Sequence, residues 1–320
     1  MGRRNLWPAR ERPMAERRRA TLRNAQDHCA DVVRRADSSF AAAFWMFPRE
    51  QRRALHAIYA FCRLADDIAD DPSVRGDRRL LLDRWQAELA AAYCGRARHP
   101  VGMALGDAAR RFELPEAVFA DLLAGVESDL IGEPIECFED LRRYCYRVAS
   151  TVGLLVVRVL GVRSERALDY AECMGIAVQL TNVLRDVGDD AASGRIYLAR
   201  EDLERMRVAP ELLKTGQMTE DVRLLLALYA ERARLYYERA ADLLPPEERG
   251  RLRPAEAMGR IYRSLLDELH AQGFSCFDGA LRISRGRRLA LAAGAWLGLP
   301  SSRPTSPVIA TDRWTPRVER

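Results

Sequence analysis

The sequence lacks the features that disulfide-bonded, zinc-binding and membrane-spanning proteins need. Its seven cysteines are odd in number and form no Cys-x-x-Cys pair, and its four histidines show no paired ligand spacing. A disulfide framework or a zinc site is therefore not expected, and a reducing compartment fits best. Residues 1–30 have no apolar core of the signal-peptide kind, and no uncharged run reaches the ~20 apolar residues of a membrane span. We expect a cytoplasmic protein, with peripheral membrane association left open.

Lysine is almost absent, and the positive charge is unevenly distributed. Lys214 is the only lysine, and the 51 basic residues exceed the 46 acidic ones by five. Residues 1–23 alone carry eight arginines against two glutamates, so the remainder is close to neutral. Such an arm can contact nucleic acid or an anionic lipid surface, although it is more often a solvated extension. We expect no nucleic-acid partner, and we predict a disordered basic arm (1–23), a helical domain (24–299) and a disordered tail (300–320).

Signals for β-structure are also missing. Neither sustained period-2 alternation nor Asn-Gly or Asp-Gly hairpin signals occur, whereas apolar residues recur at three- and four-residue spacing over most of the chain. The helical segments lie near residues 40–70, 79–95, 103–124, 139–161, 165–190, 219–243, 254–272 and 286–298. Because the breaker segments between them are short, the sequence predicts a single-domain, all-α bundle of antiparallel neighbours.

Two of these helices carry acidic residues in matched positions. Each presents two aspartates four residues apart, preceded on the same face by neutral or basic polar side chains. The first face consists of Tyr59, Arg63, Asp66 and Asp70, and the second of Gln179, Asn182, Asp186 and Asp190. Both pairs of aspartates lie near the expected C-terminal end of their helix.

These positions are electrostatically unfavourable for carboxylates. Like charges four residues apart repel by a few tenths of a kcal/mol, and each carboxylate at a helix C-terminus costs roughly 0.3–1 kcal/mol against the macrodipole. A single such cluster is more often a solvated acidic face. Two matched clusters in apolar surroundings favour a compensating cation, and Mg²⁺ suits carboxylate oxygens together with the phosphate oxygens of a substrate.

Three blocks of the sequence resemble the phytoene/squalene synthase family, the head-to-head branch of the trans-isoprenyl diphosphate synthases. They are Ser38-Ser39-Phe40 with residues 52–70, residues 144–153, and residues 179–190 with 194–198. The resemblance runs from about Ser38 to Leu297 and is closest to the bacterial phytoene synthases and presqualene diphosphate synthases. One departure is Ser150, which stands where the family usually has glycine and is expected to narrow the tunnel or bend its helix.

The resemblance implies a class I terpenoid synthase fold, a helical bundle with a central cavity, and assigns roles to individual residues. The implied ligands of Mg²⁺, with Mn²⁺ as an alternative, are Asp66, Asp70, Asn182, Asp186 and Asp190. The residues implied to contact the substrate are Ser39, Phe40, Tyr59, Arg63, Gln179, Arg185 and Tyr262. Tyr144 would lie where the carbocation rearranges, acting with the four aspartates, and the apolar run 148–157 would line the tunnel for the prenyl tails.

The implied activity is that of a prenyltransferase that condenses two prenyl diphosphates head to head through a cyclopropylcarbinyl diphosphate. Two geranylgeranyl diphosphates giving phytoene, in carotenoid biosynthesis, is the first choice. Two farnesyl diphosphates giving presqualene diphosphate or a squalene-type C30 product is the alternative, and a class I terpene cyclase is a more distant one. A non-catalytic protein of this fold would have disrupted aspartate pairs, and both pairs are intact. No Gly-x-Gly-x-x-Gly motif follows a strand, so the sequence gives no support for NADPH.

Overall fold

The computed structural model describes residues 14–36, 47–71 and 73–274, together with positions 277, 284, 286, 287, 290 and 291. Within these residues the chain forms twelve α-helices and one π-helical turn, and no strand. The helices are α1 (Met14–Arg35), α2 (Arg49–Asp70), α3 (Arg78–Tyr93), α4 (Pro100–Phe112), α5 (Glu116–Ile131), α6 (Phe138–Cys145), α7 (Thr151–Val159), α8 (Glu165–Ala192), α9 (Arg200–Arg205), α10 (Pro210–Lys214), α11 (Glu220–Leu243) and α12 (Arg249–Ala271); the π turn (Tyr146–Ser150) joins α6 to α7. The all-α prediction is confirmed. No helix in the described part of the chain has the length and apolarity needed to cross a membrane.

Helix α8 lies at the centre of the bundle. It packs most extensively on α11 and also contacts the π turn, α7 and α12. Its inner face is apolar and closely packed, with Ala177, Leu180 and Leu184 fully buried. The buried Thr181 donates its hydroxyl proton to the carbonyl of Ala177 or shares it with Tyr237 of α11, 3.0 Å away, so this polar group is satisfied inside the core.

Helix α1 begins at Met14, so it includes the last ten residues of the predicted basic arm (1–23). Helix α1 packs on α2 and α4 and buries Ala25, Cys29 and Val33, which recur every four residues. Once this face is anchored, the preceding alanine, arginine and glutamate residues extend the helix because they are good helix formers. Residues 1–13 and the tail 300–320 lie outside the described residues.

The segment predicted as one helix over 103–124 forms two helices, α4 and α5. Glu113 adopts the left-handed conformation with φ of 52°, which ends α4. Pro115 then precedes α5, and a proline disfavours the helical conformation of the residue before it, here Leu114. Helices α9 and α10 were not predicted, because six and five residues are too few to show a helical period.

The segment predicted as one helix over 139–161 is continuous but contains the π turn. At its end, Ser150 is fully buried and donates its hydroxyl proton to the carbonyl of Glu172 on α8, 2.7 Å away. A Cβ atom on Gly175 would come within 2.4 Å of the Cα atom of Ser150. The serine that departs from the family pattern therefore fixes the contact between the π turn and α8.

We predict that Gly175→Ala destabilises the protein by about 1–3 kcal/mol, because the added methyl group meets backbone atoms that cannot move aside independently. Gly250→Ala is the matched control, since it lies in α12 with no heavy atom within 4 Å of the added Cβ. Urea denaturation of both variants measures the difference. Equal stability of Gly175→Ala and the wild-type protein would contradict the close approach of the two backbones.

Candidate functional site

The C-terminal ends of α2 and α8 meet at one edge of the bundle, which we call the acidic rim (Asp66, Asp70, Asp129, Asp186 and Asp190). Helix α2 ends at Asp70, and α8 ends two residues after Asp190. Arg195 connects the two ends, because its guanidinium lies 2.6 Å from the carboxylate of Asp70 and its backbone N–H donates to the carbonyl of Asp190. The two aspartate pairs that the sequence placed on separate helices thus lie at one rim.

A fifth carboxylate, Asp129 of α5, lies close to both pairs, since its charge acts on Asp66 and on Asp190. The hydroxyl of Tyr144 donates to one of its oxygens at 3.0 Å, and the hydroxyl of Tyr197 donates to the other at 2.7 Å. The two tyrosine rings are stacked, with centroids 4.9 Å apart. Tyr144 is buried, so its orientation is fixed both by packing and by this hydrogen bond.

The rim has more negative charge than its surroundings favour. Desolvation, followed by the charge of Asp70, raises the pKa of Asp66 to about 7, even though part of its side chain is exposed. Desolvation, followed by the charge of Asp186, raises the pKa of Asp190 to about 7. The pKa of Asp129 is also raised, mainly by burial, and is held down in part by its two tyrosine donors. Binding a cation near these groups would relieve the repulsion.

Arg185 and Arg63, which the sequence predicted to contact the substrate, each form an ion pair with an aspartate of their own helix. The Nε of Arg185 donates to Asp186 at 2.7 Å, its second donor binds the other oxygen, and these hydrogen bonds raise the pKa of Arg185. Tyr262 of α12 also hydrogen-bonds with Arg185. Arg63 pairs with Asp67, 2.8 Å away, and its side chain is about half exposed. Arg63 and Arg185 are therefore both held beside the rim by carboxylates of their own helices.

Asn182 is the clearest indication of a missing partner at the rim. Its side-chain N–H donates to the oxygen of Gln179 at 3.2 Å, while its buried side-chain oxygen has no hydrogen-bond partner. Together with the carboxylates, this amide forms a set of hard oxygen donors, which suits Mg²⁺. Within the described ranges, no three acidic, histidine or cysteine side chains form a metal-binding cluster by themselves.

Below the rim lies an apolar chamber of about 780 Å³, part of which is open to solvent. It is lined from α8 by Val178, Met174 and Tyr170, among others, and from α2 by Leu55. Residues of the run 148–157 also line it, including Gly153, where a Cβ would lie 3.0 Å from the carbonyl of Ala171. On both helices the lining begins two to three turns before the rim aspartates, at Leu55 on α2 and at Val178 on α8.

The remaining predicted site residues fall into two groups. Tyr59 is half-buried against the core, one turn above Leu55 and one turn below Arg63, and Gln179 lies one turn before Asn182. Ser39 and Phe40 lie outside the described residues.

Sequence reasoning missed Asp129 and gave Tyr197 no role. One signal was available for Asp129, because it lies near the C-terminus of α5, where a carboxylate opposes the macrodipole. It is a single acidic residue without a matched partner on its own helix face, so the spacing argument that identified the other aspartates did not apply to it.

Comparison with known proteins gives a consistent result. The squalene/phytoene synthase family matches residues 33–287. The chain is 35% identical to a chloroplastic phytoene synthase of Narcissus pseudonarcissus over 295 residues, covering 89% of this chain and 70% of that protein. It is 32% identical to the 15-cis-phytoene synthase of Synechocystis sp. over 290 residues, covering 87% and 86%.

Two solved structures of synthases are also similar to this chain in fold and sequence. A dehydrosqualene synthase crystallised with a ligand has 30% sequence identity and a TM-score of 0.76, covering 87% of this chain and 97% of the other. The squalene synthase HpnC from Alicyclobacillus acidocaldarius also has 30% identity, with a TM-score of 0.72 and coverage of 80% and 96%. Given its all-α bundle, its acidic rim and these relatives, the chain belongs to the squalene/phytoene synthase family and is a prenyltransferase.

Proposed function

We propose that the enzyme condenses two molecules of geranylgeranyl diphosphate head to head, through a cyclopropylcarbinyl diphosphate, to give phytoene. The observation that carries this proposal is that α2 and α8 contribute both to the acidic rim and to the apolar chamber. Each helix presents carboxylates at its C-terminal end and apolar chamber-lining side chains two to three turns earlier. Such a surface suits a molecule with an anionic head, bound through a cation, and a long hydrocarbon tail. Several phytoene synthases among the relatives support the C20 substrate.

Mg²⁺ fits the residues of the rim, which supports its inclusion in the proposal. Asp66, Asp70, Asp186 and Asp190 would hold it, with the unpartnered oxygen of Asn182 available nearby. Because no cluster of three protein ligands forms in the described part of the chain, diphosphate oxygens and water would complete the coordination. When bound, the metal supplies charge neutralisation to a departing diphosphate.

The protein's own residues would orient the diphosphates and protect the carbocation. Arg185 and Arg195 each lie beside a rim carboxylate, so each can turn part of its guanidinium towards a phosphate without leaving a buried charge unpaired. The stacked rings of Tyr144 and Tyr197 offer aromatic faces that attract a cation by about 1–2 kcal/mol. Asp129 acts as a positioning residue, since it fixes both hydroxyls. The chamber's apolar lining excludes the water that would otherwise capture the cation.

A second candidate is the condensation of two farnesyl diphosphates to presqualene diphosphate or another C30 product. It is supported by the likeness to the dehydrosqualene synthase and to HpnC, both at 30% identity. This reaction would use the same acidic rim, and its C15 tail would occupy a shorter length of the chamber than a C20 tail.

The products made from each prenyl diphosphate test the proposal directly. With geranylgeranyl diphosphate and Mg²⁺, the purified enzyme is expected to give a C40 hydrocarbon of the mass of phytoene, measured by chromatography with mass spectrometry. A C30 product formed only from farnesyl diphosphate would establish the second candidate instead. A cyclic C15 or C20 product would overturn head-to-head condensation altogether.

Asp66→Asn and Asp186→Asn are each expected to lower turnover about 100-fold or more, because each removes a charge that would hold the metal at the departing diphosphate. Asp169→Asn, on α8 but five turns from the rim, is the matched control and should retain turnover. Circular dichroism should show the same helical content for all three variants. Dialysis against EDTA should abolish the wild-type activity, and added Mg²⁺ should restore it; full activity in metal-free buffer would contradict the metal assignment.

Asp129→Asn is expected to lower kcat more than it raises KM, because Tyr144 and Tyr197 lose their charged acceptor and their rings are no longer held in one orientation. Asp129→Ala should also lower stability by about 1–3 kcal/mol, because both tyrosine hydroxyls, which are at least partly buried, lose their acceptor. Glu127→Gln is the control, since Glu127 lies on α5 and pairs with Arg79 away from the rim. Steady-state kinetics and urea denaturation measure both effects, and unchanged kcat in Asp129→Asn would refute the positioning role.

A further inference from the structure

The two helices that carry the aspartate pairs of the acidic rim end in different ways. Helix α8 closes its own end, because Gly194 has a positive φ of 88° and the backbone N–H of Arg195 donates to the carbonyl of Asp190 at 2.8 Å. No glycine directly follows α2, and Asp71, the next residue, is extended, with φ of −74° and ψ of 114°. The last carbonyls of α2 therefore need donors from another part of the chain.

Two carbonyl groups in the last turn of α2 cannot be satisfied by helical hydrogen bonds. The residue four places after Ile68 is Pro72, which has no N–H to donate. The residue four places after Ala69 is Ser73, whose N–H donates instead to the side chain of Asp71 at 2.8 Å. Both carbonyls lie directly before Asp70, so the way in which they are satisfied fixes the backbone from which this rim carboxylate projects.

Arg78, the first residue of α3, supplies the donors. One terminal nitrogen of its guanidinium donates to the carbonyl of Ile68 at 3.0 Å and to that of Ala69. The other terminal nitrogen donates to the carbonyl of Asp71 at 3.0 Å. One planar, half-buried group therefore holds the backbone on both sides of Asp70.

Arg78 is unfavourably placed for its own helix. It lies at the N-terminus of α3, where the macrodipole is positive and disfavours a basic side chain. The start of α3 is fixed independently, because the side chain of Asp77 accepts from the N–H of Leu80 at 3.2 Å. The indole N–H of Trp85 also ties α3 to α2, donating to the carbonyl of Phe61 at 3.3 Å. Arg78 therefore stabilises the end of α2 and not the start of α3.

Asp70 is consequently held by two arginines in different ways. Arg195 lies 2.6 Å from its carboxylate, whereas Arg78 binds the backbone around it. The three hydrogen bonds of Arg78 go to carbonyl groups, so they occupy no oxygen of the Asp70 carboxylate. Arg78 also brings a positive charge to the negative end of the α2 macrodipole, which makes a carboxylate at this end less unfavourable.

We propose that Arg78 is a positioning residue of the metal site, which closes the end of α2 and thereby holds Asp70 where it can bind Mg²⁺. The inference rests on the proposed function, because it concerns the metal that the acidic rim holds there. It assigns a role to a residue of α3, a helix that contributes no carboxylate to the rim.

Metal binding by Arg78→Met tests this role separately from catalysis. Equilibrium dialysis of the full-length enzyme measures the binding of Mn²⁺ in the presence of inorganic diphosphate, and activity assays give the Mg²⁺ concentration for half-maximal turnover. Arg78→Met should weaken Mn²⁺ binding and raise that Mg²⁺ concentration, each about tenfold, the lower end of what the loss of an outer-shell partner costs a metal site. Amide hydrogen exchange should also become faster in residues 67–71.

Arg166→Met is the matched control. The guanidinium of Arg166 donates to the carbonyls of Asp242 and Leu243, so it makes the same kind of contact at the C-terminal end of α11. Arg166 lies in the first turn of α8, at the opposite end of that helix from the rim. Its substitution should speed up amide exchange at the end of α11 and leave Mn²⁺ binding and the Mg²⁺ requirement unchanged.

Urea denaturation checks that both variants are folded. If Arg78→Met does not fold, Arg78→Lys carries the test, because one ammonium group does not reproduce the planar pair of nitrogens that binds the three carbonyls. Arg78→Lys should weaken Mn²⁺ binding in the same direction.

The outcomes separate the inference from the proposed function. If the wild-type enzyme binds Mn²⁺ and makes head-to-head product, but the folded Arg78 variant binds Mn²⁺ as the wild type does, the positioning role is refuted and the proposed function stands. If Arg78→Met and Arg166→Met weaken Mn²⁺ binding equally, the effect is a general loss of stability and the positioning role is again refuted. If the wild-type enzyme binds no Mn²⁺ with diphosphate and needs no Mg²⁺, the metal site fails and the inference fails with it.

Discussion

The structure depends on holding several carboxylates together where helices least favour them. Helices α2, α5 and α8 all bring aspartates to one rim near their C-terminal ends, where the macrodipole is negative. Desolvation and the charge of the aspartate four residues away raise the pKa of Asp66 and the pKa of Asp190 to about 7. Arg185 and Arg195 offset only part of this charge. The remaining carboxylates repel one another, and a bound cation would lower the free energy of that repulsion.

The packing of the apolar interior holds the rim carboxylates together against their mutual repulsion. Helix α8 is anchored on α11 and against the π turn, so its polar end is fixed by burial elsewhere along the same helix. The contacts are close at the backbone level, at Gly175 against Ser150 and at Gly153 against the carbonyl of Ala171. Closely packed interiors deform little, so the rim cannot relax simply by moving its helices apart. The same packing shapes the chamber, and the acidic rim and the apolar lining are thus two ends of one rigid element.

Much of this arrangement could be predicted from the sequence, because it is encoded in helical periods. The three- and four-residue spacing gave the all-α class, and the matched offsets of Asp66–Asp70 and Asp186–Asp190 gave two faces that lie at one rim. Features that depend on a single residue or on tertiary contact could not be read in this way. Asp129 has no partner on its own face, and its role comes from two tyrosines on other segments. Helix α1 extends into the basic arm because its apolar face is anchored on α2 and α4, which charge composition does not reveal.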